Sequence, residues 1–115
     1  MPRDYYVFFD DMLLAIDKIE RYVSSLSYDS FSEDEMRIDA VLRNLEVIGE
    51  AAGNVPIDIR EKYPQIQWKK IVGLRNIIIH EYFGVDLEIV WDIIANNLDE
   101  LKRNVETALI ECRND

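Results

Sequence analysis

Residues 73–82 read Gly-Leu-Arg-Asn-Ile-Ile-Ile-His-Glu-Tyr, and the interpretation of the whole chain starts from this stretch. It contains the chain's only histidine, His80, together with Arg75, Asn76 and Tyr82. Three consecutive isoleucines lie between the amide and the histidine, and an apolar run of this kind predicts a buried helix. Guanidinium, amide, imidazole and phenol groups in so apolar a helix indicate a specific partner, so these four residues are the candidate functional residues.

The composition describes an ordinary folded protein. A length of 115 residues suits one domain, predicted to span residues 1–115, with one modest core. Only 4 glycines and 3 prolines leave room for few turns, which favours a small number of long helices. No apolar run approaches the roughly 20 residues that cross a bilayer, and the N-terminus lacks a signal-peptide pattern. A single cysteine, Cys112, permits no internal disulfide and fits a cytoplasmic protein.

The net charge of −10 argues against a general nucleic-acid coat protein, because phosphate binding favours a basic surface. The charge is unevenly distributed, however. Five cations fall in one short stretch that holds only two acids, Asp58 and Glu61; the cations are Arg60, Lys62, Lys69, Lys70 and Arg75. This stretch is either a local basic face on an acidic body or a solvated face of mixed charge.

The first long helix is predicted to run from about Asp4 to Ser25. Its apolar residues recur at helical spacing; they are Phe9, Met12, Leu13, Ile16, Ile19 and Val23. The stretch 24–30 is polar and lacks this periodicity. It is interpreted as a loop that leads to the second helix.

The second long helix has a clear predicted start. Ser32 followed by Glu35 forms a capping-box pattern, in which each side chain accepts a hydrogen bond from a backbone N–H that the helix leaves free. Phe31 before this cap and Met36 after it fit a hydrophobic staple. The helix is predicted to end at 53–54 (Gly-Asn), residue types that tolerate positive φ, and a proline follows at position 56.

Two prolines, at positions 56 and 64, bracket a predicted short helix over residues 57–63. The third long helix is predicted to begin at residue 67 or 68 and to run towards Tyr82, and its apolar residues cover more than one face. A helix that is apolar nearly all round must be covered on several sides. In so small a protein, a second subunit is the expected cover.

The last long helix is predicted to follow a break at Gly84. Asp86 is placed to cap it, with Val85 and Val90 at the positions of a staple. Its apolar residues form a near-heptad stripe, made of Leu87, Trp91, Ile94, Leu98, Leu101, Val105, Leu109 and Cys112. The sequence shows no strand-like alternation. It therefore predicts an all-α fold, an antiparallel up-and-down bundle of four main helices plus a short helix.

Helical geometry divides the candidate residues between two faces. Asn76 and His80 are four residues apart and share a face, whereas Arg75 and His80 are five apart, about 140° around an ideal helix. Either the helix distorts near His80, or the two residues meet across the two-fold axis of a homodimer. In such a dimer residue i of one copy meets residue j of the other.

These residue types suit cleavage of RNA without a metal. A histidine titrates near neutral pH, so His80 can take a proton from a ribose 2′-OH or give one to the leaving oxygen. Arg75 can hold two phosphate oxygens as negative charge develops, and Asn76 can orient His80 or donate to phosphate. Lys69 and Lys70 are candidate RNA-binding residues. The scheme requires no cofactor, and one histidine without a cysteine pair offers little to bind a metal.

Each candidate also has a plainer interpretation. His80, near a helix end, can be a packed or capping residue. Arg75 can be a structural partner of Glu46 or Glu50. Tyr82 can be an aromatic residue that lines an interface. Residue types alone do not separate these interpretations from the catalytic ones.

Arg75-Asn76-Ile77-Ile78-Ile79-His80 has the Arg-polar-x3-His form of the motif in HEPN-domain ribonucleases, and its continuation to Tyr82 resembles the HepT toxin subgroup. The flanking sequence resembles that subgroup as well, at residues 43–52, 63–64, 68, 73, 82–86 and 89–91. The similarity covers most of the chain from the second long helix to the last. Six residues alone are a weak signal, whereas the same motif within these flanks is specific.

The resemblance implies a HEPN-like homodimer in which the two motifs form one composite cleft. It implies a metal-independent endoribonuclease, the toxin of a type VII-like toxin–antitoxin pair, with Arg75 and His80 catalytic and Asn76 assisting. The implied partner is an MntA-like minimal nucleotidyltransferase antitoxin, which transfers AMP from ATP to the motif tyrosine, here Tyr82. An added nucleotide would bring negative charge and bulk to the place of the RNA phosphate.

A second interpretation is a non-catalytic helical module that binds and regulates such a nucleotidyltransferase. The acidic charge of the chain favours it slightly. On this interpretation the polar residues of the motif are a docking or nucleotide-contacting patch. A third interpretation, a metal-dependent bundle enzyme, lacks the ligands in the sequence.

Overall fold

The computed structural model describes residues 5–80 and 86–114, with only the backbone of residues 76–80, and its regular structure in these ranges is all helical. The helices are α1 (Tyr6–Val23), α2 (Tyr28–Ser32), α3 (Glu35–Asn54), α4 (Ile57–Lys62), α5 (Trp68–His80), α6 (Leu87–Asp92) and α7 (Leu98–Asn114). A π-helical turn, Ile93–Asn97, joins α6 to α7. The predicted all-α bundle is confirmed.

Polar contacts between neighbouring helices fix their directions. Near one end of α1, Asp10 accepts a hydrogen bond of 3.1 Å from Arg113, near the C-terminus of α7. Near the other end, Glu20 accepts one of 3.0 Å from Lys102, near the start of α7. The two helices therefore run antiparallel. The backbone carbonyl of Tyr22 accepts a hydrogen bond of 2.8 Å from the Arg37 side chain at the start of α3, so α1 and α3 are antiparallel too.

The core lies between α1, α3 and α7. Phe9 at its centre makes edge contacts with Tyr63 and a tilted contact with Trp68, with ring centroids 6.1 Å apart in both pairs. The predicted stripes of the long helices supply most of the buried residues; those with the largest fully buried side chains are Phe9, Phe31, Met12, Ile16, Ile19, Leu45, Ile48, Val41, Val55 and Val105. The periodicity of the sequence thus identified the core faces correctly.

The predicted start of the second long helix is wrong. Asp34, not Ser32, is the N-cap of α3: its carboxylate accepts a hydrogen bond from the Arg37 backbone N–H at 3.1 Å. Ser32 instead ends α2, an additional short helix within the predicted loop. Met36 is 84% exposed and Phe31 is fully buried, so these two residues form no staple. Phe31 belongs to α2 and is buried there against Trp91, with ring centroids 5.1 Å apart.

The other helix boundaries follow the sequence closely. Helix α3 ends at Asn54 as predicted, although Val55 follows with φ −71° and no positive φ occurs at that end. Helix α4 begins after Pro56, and Asp86 caps α6 by accepting a hydrogen bond from the Glu88 N–H at 2.9 Å. The predicted helix break at Gly84 and the staple at position 85 lie outside the described residues. No helix in the described ranges has the length and apolar character to span a membrane.

Candidate functional site

Helix α5 carries three of the candidate residues, Arg75, Asn76 and His80, and a cluster of three other residues fixes its start. The indole N–H of Trp68 donates to the backbone carbonyls of Arg60 at 3.2 Å and Tyr63 at 3.1 Å. The Arg60 guanidinium lies 6.0 Å from the centre of the Trp68 ring. It also donates to the carbonyls of Gly53 and Val55, each at 2.9 Å. Arg60 therefore ties the C-terminal end of α3 to the first residue of α5.

The tyrosine in this cluster is a packing residue. Burial, followed by its contact with the thiol of Cys112, raises the pKa of Tyr63. The phenol is therefore protonated at physiological pH, and its oxygen lies 3.4 Å from the Cys112 sulfur. This pair joins the segment before α5 to the end of α7. It has no surface from which to act on a substrate, since Tyr63 is buried.

A close approach between α3 and α5 sets the position of Arg75. At Gly49, in the middle of α3, a Cβ atom would lie 3.0 Å from the Ile71 carbonyl oxygen and 3.1 Å from the Arg75 backbone nitrogen. One turn later, a Cβ at Gly53 would meet only the Val72 side chain, at 3.9 Å. The pairing of 49 with 71 and 75, and of 53 with 72, shows that the two helices are antiparallel. Glycine at 49 allows the α5 backbone to touch α3 where the motif begins.

Arg75 is exposed, and within the described part of the chain it forms no ion pair. The interpretation of Arg75 as a structural partner of Glu46 or Glu50 is therefore wrong. The backbone of Arg75 is closely packed, and its guanidinium has no acidic partner among the described residues. This guanidinium is therefore available to bind an anion.

The other motif residues are located by their backbone alone. Helix α5 remains α-helical to its end, so positions 76 and 80 lie one turn apart on one side of it. Position 75 lies about 140° from position 80 around the helix axis. The predicted alternative was a distortion of the helix near His80; none occurs from Trp68 to His80, and the positions directly after His80 lie outside the described residues. The side chains of Asn76 and His80, and the whole of Tyr82, lie outside the described residues.

The predicted basic stretch divides in the structure. Arg60 is occupied by backbone carbonyls and does not belong to a basic face. Lys62, Lys69 and Lys70 are exposed and, among the described residues, have no acidic partner. Lys70 lies at the edge of a cleft, whereas Lys69 does not. Arg60 is thus removed from the possible basic face, while the exposed lysines are compatible with either interpretation of the stretch.

The cleft lies between α5 and α7, on a floor provided by α3, and has a volume of about 360 Å³. It exists because α3 packs on α1 and α5, and α1 packs on α7, while α5 and α7 stay apart. Leu45 and Ile48 of α3 lie at its base, and the other buried apolar residues of its lining are Ile66, Ile71 and Leu98. Its rim is polar, with Gln65, Gln67, Lys70, Asn97, Glu100 and Asn104.

The π-helical turn shapes one wall of this cleft. Ile93 and Asn97, its first and last residues, both line the cleft. Such turns are costly relative to α-helix and occur frequently at functional sites. Gly73 of α5 lines the cleft nearby, and a Cβ there would have no neighbour within 4 Å. Sequence reasoning missed the cleft and the turn; a glycine within an otherwise apolar helix was the one signal for them.

The described residues contain no group of three or more histidine, cysteine or acidic side chains that could hold a metal ion. Of the candidate residues on α5, the structure thus shows Arg75, Lys69 and Lys70 exposed, and the backbone positions of Asn76 and His80 one turn apart.

Comparison with known proteins adds to this geometry. The profile of a family described as "Ribonuclease HepT-like" matches residues 12–108. A protein of Methanocaldococcus jannaschii named "Putative RNase MJ1380" is 39% identical over 104 residues, which cover 90% of this chain and 95% of that protein. "Putative RNase TTE0752" of Caldanaerobacter subterraneus subsp. tengcongensis is 43% identical over 91 residues, 79% of this chain and 80% of that protein.

A third relative carries the family's name itself. "Probable ribonuclease HepT" of Thermococcus cleftensis is 34% identical over 106 residues, which cover 92% of this chain and 96% of that protein. No solved structure matches the chain at a significant level. The alignments with these three relatives cover 79–92% of this chain and 80–96% of the relatives' own length. The similarity therefore concerns most of the helical chain and not the motif alone.

Proposed function

This chain belongs to the HepT-like ribonuclease family, and we propose that it is a metal-independent endoribonuclease, the toxin of a type VII-like toxin–antitoxin pair. The observation that carries the proposal is Arg75: it is exposed, without an acidic partner among the described residues, on a backbone held against α3 at Gly49. Relatives that are 34–43% identical over most of the chain bear ribonuclease names.

The reaction we propose is transfer of an RNA phosphodiester to its own 2′-oxygen. The 2′-oxygen attacks phosphorus while the bond from phosphorus to the 5′-oxygen breaks. His80 takes the 2′-OH proton, or supplies the proton that the 5′-oxygen receives, and Arg75 holds the phosphate oxygens as their charge grows. The products are a 2′,3′-cyclic phosphate and a 5′-hydroxyl. Asn76 orients His80 or donates to phosphate.

The proposed active unit is a homodimer. Positions 75 and 80 lie about 140° apart on a helix whose backbone is regular to His80, which supports a site shared between two subunits. Across a two-fold axis, Arg75 of one subunit can meet His80 of the other, and the pair is formed twice. Lys69 and Lys70 are the proposed contacts for flanking RNA phosphates.

Regulation by a partner is the second part of the proposal. An MntA-like minimal nucleotidyltransferase antitoxin is proposed to transfer AMP to Tyr82. The tyrosine lies two positions after His80 in the sequence, so the added phosphate would compete with RNA for Arg75. Such a pair would act in the cytoplasm, where ATP and RNA are both available.

An RNase assay in the presence of a chelator tests the catalytic part. We expect the unmodified protein to cleave single-stranded RNA and to leave 2′,3′-cyclic phosphate ends, and Arg75→Ala and His80→Ala each to lower the rate by about 100-fold or more. Arg21→Ala is the control, since Arg21 is an exposed cation of α1 paired with Asp17. Full activity in the His80 variant would exclude this mechanism.

Mass spectrometry tests the regulatory part. Incubation with the partner and ATP should add AMP to the wild-type chain and abolish cleavage, while Tyr82→Phe should gain no mass and stay active. If the unmodified, folded dimer binds the partner tightly but cleaves no RNA, the chain is instead a non-catalytic module that regulates the nucleotidyltransferase. The net charge of −10 is the observation that favours this alternative.

A further inference from the structure

We propose that the cleft between α5 and α7 is a base-recognition site, which holds one purine base of the RNA strand beside the phosphate bound by Arg75. This inference rests on the proposed ribonuclease function and identifies which nucleotide the site selects. It is carried by the shape of the cleft, by the polarity of its rim and by its place next to the motif.

The cleft has the size and lining of a small-molecule site. Its volume of about 360 Å³ lies at the lower end of the range for ligand pockets, roughly 300–1,000 Å³, which suits a single nucleoside. Leu74, Ile93 and Leu101 are partly exposed in the cleft and form an apolar surface against which a flat ring can lie. Bases that proteins remove from a strand are held between aromatic or apolar side chains in this manner.

The rim supplies the hydrogen-bonding groups that read a base edge. The side chains of Gln65, Gln67 and Asn97 are exposed and make no hydrogen bond to another described residue. An amide presents one donor and one acceptor, which match the exocyclic amine and N7 of adenine. Lys70 can donate to O6 and N7 of guanine, whereas Glu100 can accept from the amine of adenine or cytosine and does not distinguish them. The three amides and Lys70 therefore favour purines, which carry N7, over pyrimidines, which lack it.

The backbone around the cleft keeps it open. Gly73 contributes no side chain where a Cβ would meet nothing within 4 Å. The π-helical turn places Asn97 at the rim and Ile93 at the wall from opposite ends of one turn. Both features cost helix stability, and both border the same space. Their coincidence at one cleft indicates a ligand and not an accident of packing.

The cleft adjoins the proposed reaction centre. Gly73 and Leu74 line it, and Arg75 is the next residue of α5, about 100° further around the helix. A base in the cleft would thus belong to a nucleotide next to the phosphate at Arg75. Single-stranded RNA can present such a base, because its unstacked bases can be turned out of the strand.

Binding of uncleavable RNA to the full-length protein tests the site. The probes are uridine hexamers in which every 2′-oxygen is methylated, with a single adenosine, guanosine or cytidine at the centre. We expect a purine-containing hexamer to bind the wild type about tenfold more tightly than the all-pyrimidine hexamers, a fold-change within the range that one good pair of hydrogen bonds to a base edge contributes. It should also shift the side-chain amide signals of Asn97, Gln65 and Gln67 in NMR spectra.

Two variants separate the cleft from the rest of the surface. Gly73→Leu places a side chain in the cleft, where a Cβ meets nothing within 4 Å, and Asn97→Leu removes a rim amide; each should abolish the purine preference. Asn96→Leu is the matched control, because Asn96 belongs to the same turn but hydrogen-bonds Asp92 and does not line the cleft. It should bind as the wild type does.

Other results would overturn the inference. Equal binding of all hexamers, absence of hexamer binding, or an unchanged preference in Gly73→Leu would each show that the cleft reads no base. Dissociation of the oligomer by Gly73→Leu would show that a second copy covers it. The two proposals can fail separately. If cleavage requires Arg75 and His80 but is unchanged in Gly73→Leu, only the base-recognition site is excluded. Purine binding without any cleavage removes only the ribonuclease.

Discussion

Gly49 is the residue at which a small change acts most directly on the candidate site. A Cβ at this position would lie 3.0 Å from a carbonyl oxygen and 3.1 Å from the Arg75 nitrogen, and both are backbone atoms. Backbone atoms cannot rotate away as a flexible side chain would. An added methyl group therefore has to displace α5 from α3 by a few tenths of an ångström, and Arg75 moves with α5.

Gly49→Ala and Gly53→Ala are expected to have opposite effects. Both gain about 1 kcal/mol in helix propensity, but at 49 overpacking costs about 1–3 kcal/mol, whereas at 53 the nearest atom is 3.9 Å away. Gly49→Ala should thus be less stable than Gly53→Ala by about 1–3 kcal/mol in urea unfolding, and should also lose RNase activity. Equal stability of the two variants would show that the helices separate freely.

Residue-level roles were only partly accessible from the sequence. The exposure of Arg75, Lys69 and Lys70 agrees with their assignment as candidate anion-binding residues. The function of Arg60 was misjudged, because its carbonyl partners at positions 53 and 55 become visible only when the end of α3 is folded. An arginine that belongs to a basic surface and an arginine that binds the carbonyls at a helix end are the same residue type in the sequence. Only the fold distinguishes them.

At the scale of the helices, the start of α3 offers a test that depends on pH. Hydrogen bonds from the Arg37 backbone N–H and guanidinium hold the pKa of Asp34 below its ordinary value of 3.8. A lowered folded-state pKa means that the ionised carboxyl stabilises the fold above 3.8, and that this stabilisation is lost as the pH falls through the folded-state value. The pH range in which this stabilisation is lost therefore lies at and below the ordinary aspartate pKa of 3.8.

Asp34→Asn should reduce the loss of stability in acid. Asparagine caps a helix about as well as aspartate, but it has no charge to attract the Arg37 guanidinium. The wild type should therefore be more stable than this variant at neutral pH, and the two stabilities should converge in acid, where Asp34 loses its charge. Asp34→Ala removes the cap at every pH and should be the least stable of the three at neutral pH. Melting temperatures measured across this range would check the order, and parallel curves for wild type and Asp34→Asn would contradict the assignment.

Helix positions were predictable where the signal was local. The apolar stripes, the cap at Asp86 and the ends of α3 and α4 follow from periodicity and from residues with special backbone preferences. The start of α3 was not predictable in this way, because Phe31 packs on Trp91, 60 residues further along the chain, with ring centroids 5.1 Å apart. The π-helical turn has no local sequence signal of comparable strength.

The whole molecule is an acidic body with few free cations near the motif. Its Cα radius of gyration is 14.3 Å, slightly above the value of about 13 Å expected for a compact chain of this length. The principal extents of 45 × 29 × 20 Å describe an elongated bundle. With a net charge of −10, most of this surface would repel RNA, and on the proposed function Lys69, Lys70 and Arg75 of α5 are the cations that attract it.

RNA affinity should therefore depend only weakly on salt. Three phosphate contacts per subunit give a slope of about −2 in a plot of log K against log salt concentration, at about −0.7 per contact for single strands. Lys69→Gln should reduce the steepness by about 0.7, whereas Lys18→Gln, on α1, should not change it. Fluorescence anisotropy with an uncleavable oligomer measures both. A slope several-fold steeper would place the RNA on a different surface.

The π-helical turn between α6 and α7 has a consequence for the length of the chain. Its hydrogen bonds reach five residues back instead of four, so the turn holds one residue more than the helix needs to connect its two ends. Deletion of the exposed Ala95 should let an ordinary turn close there, with the apolar stripes on both sides still facing inward. A one-residue deletion within α7, for example of Glu106, would rotate everything after it by about 100° and unfold the bundle. The protein can thus be shortened by one residue at this place, but the deletion also removes the π-helical turn by which Ile93 and Asn97 form one wall of the cleft.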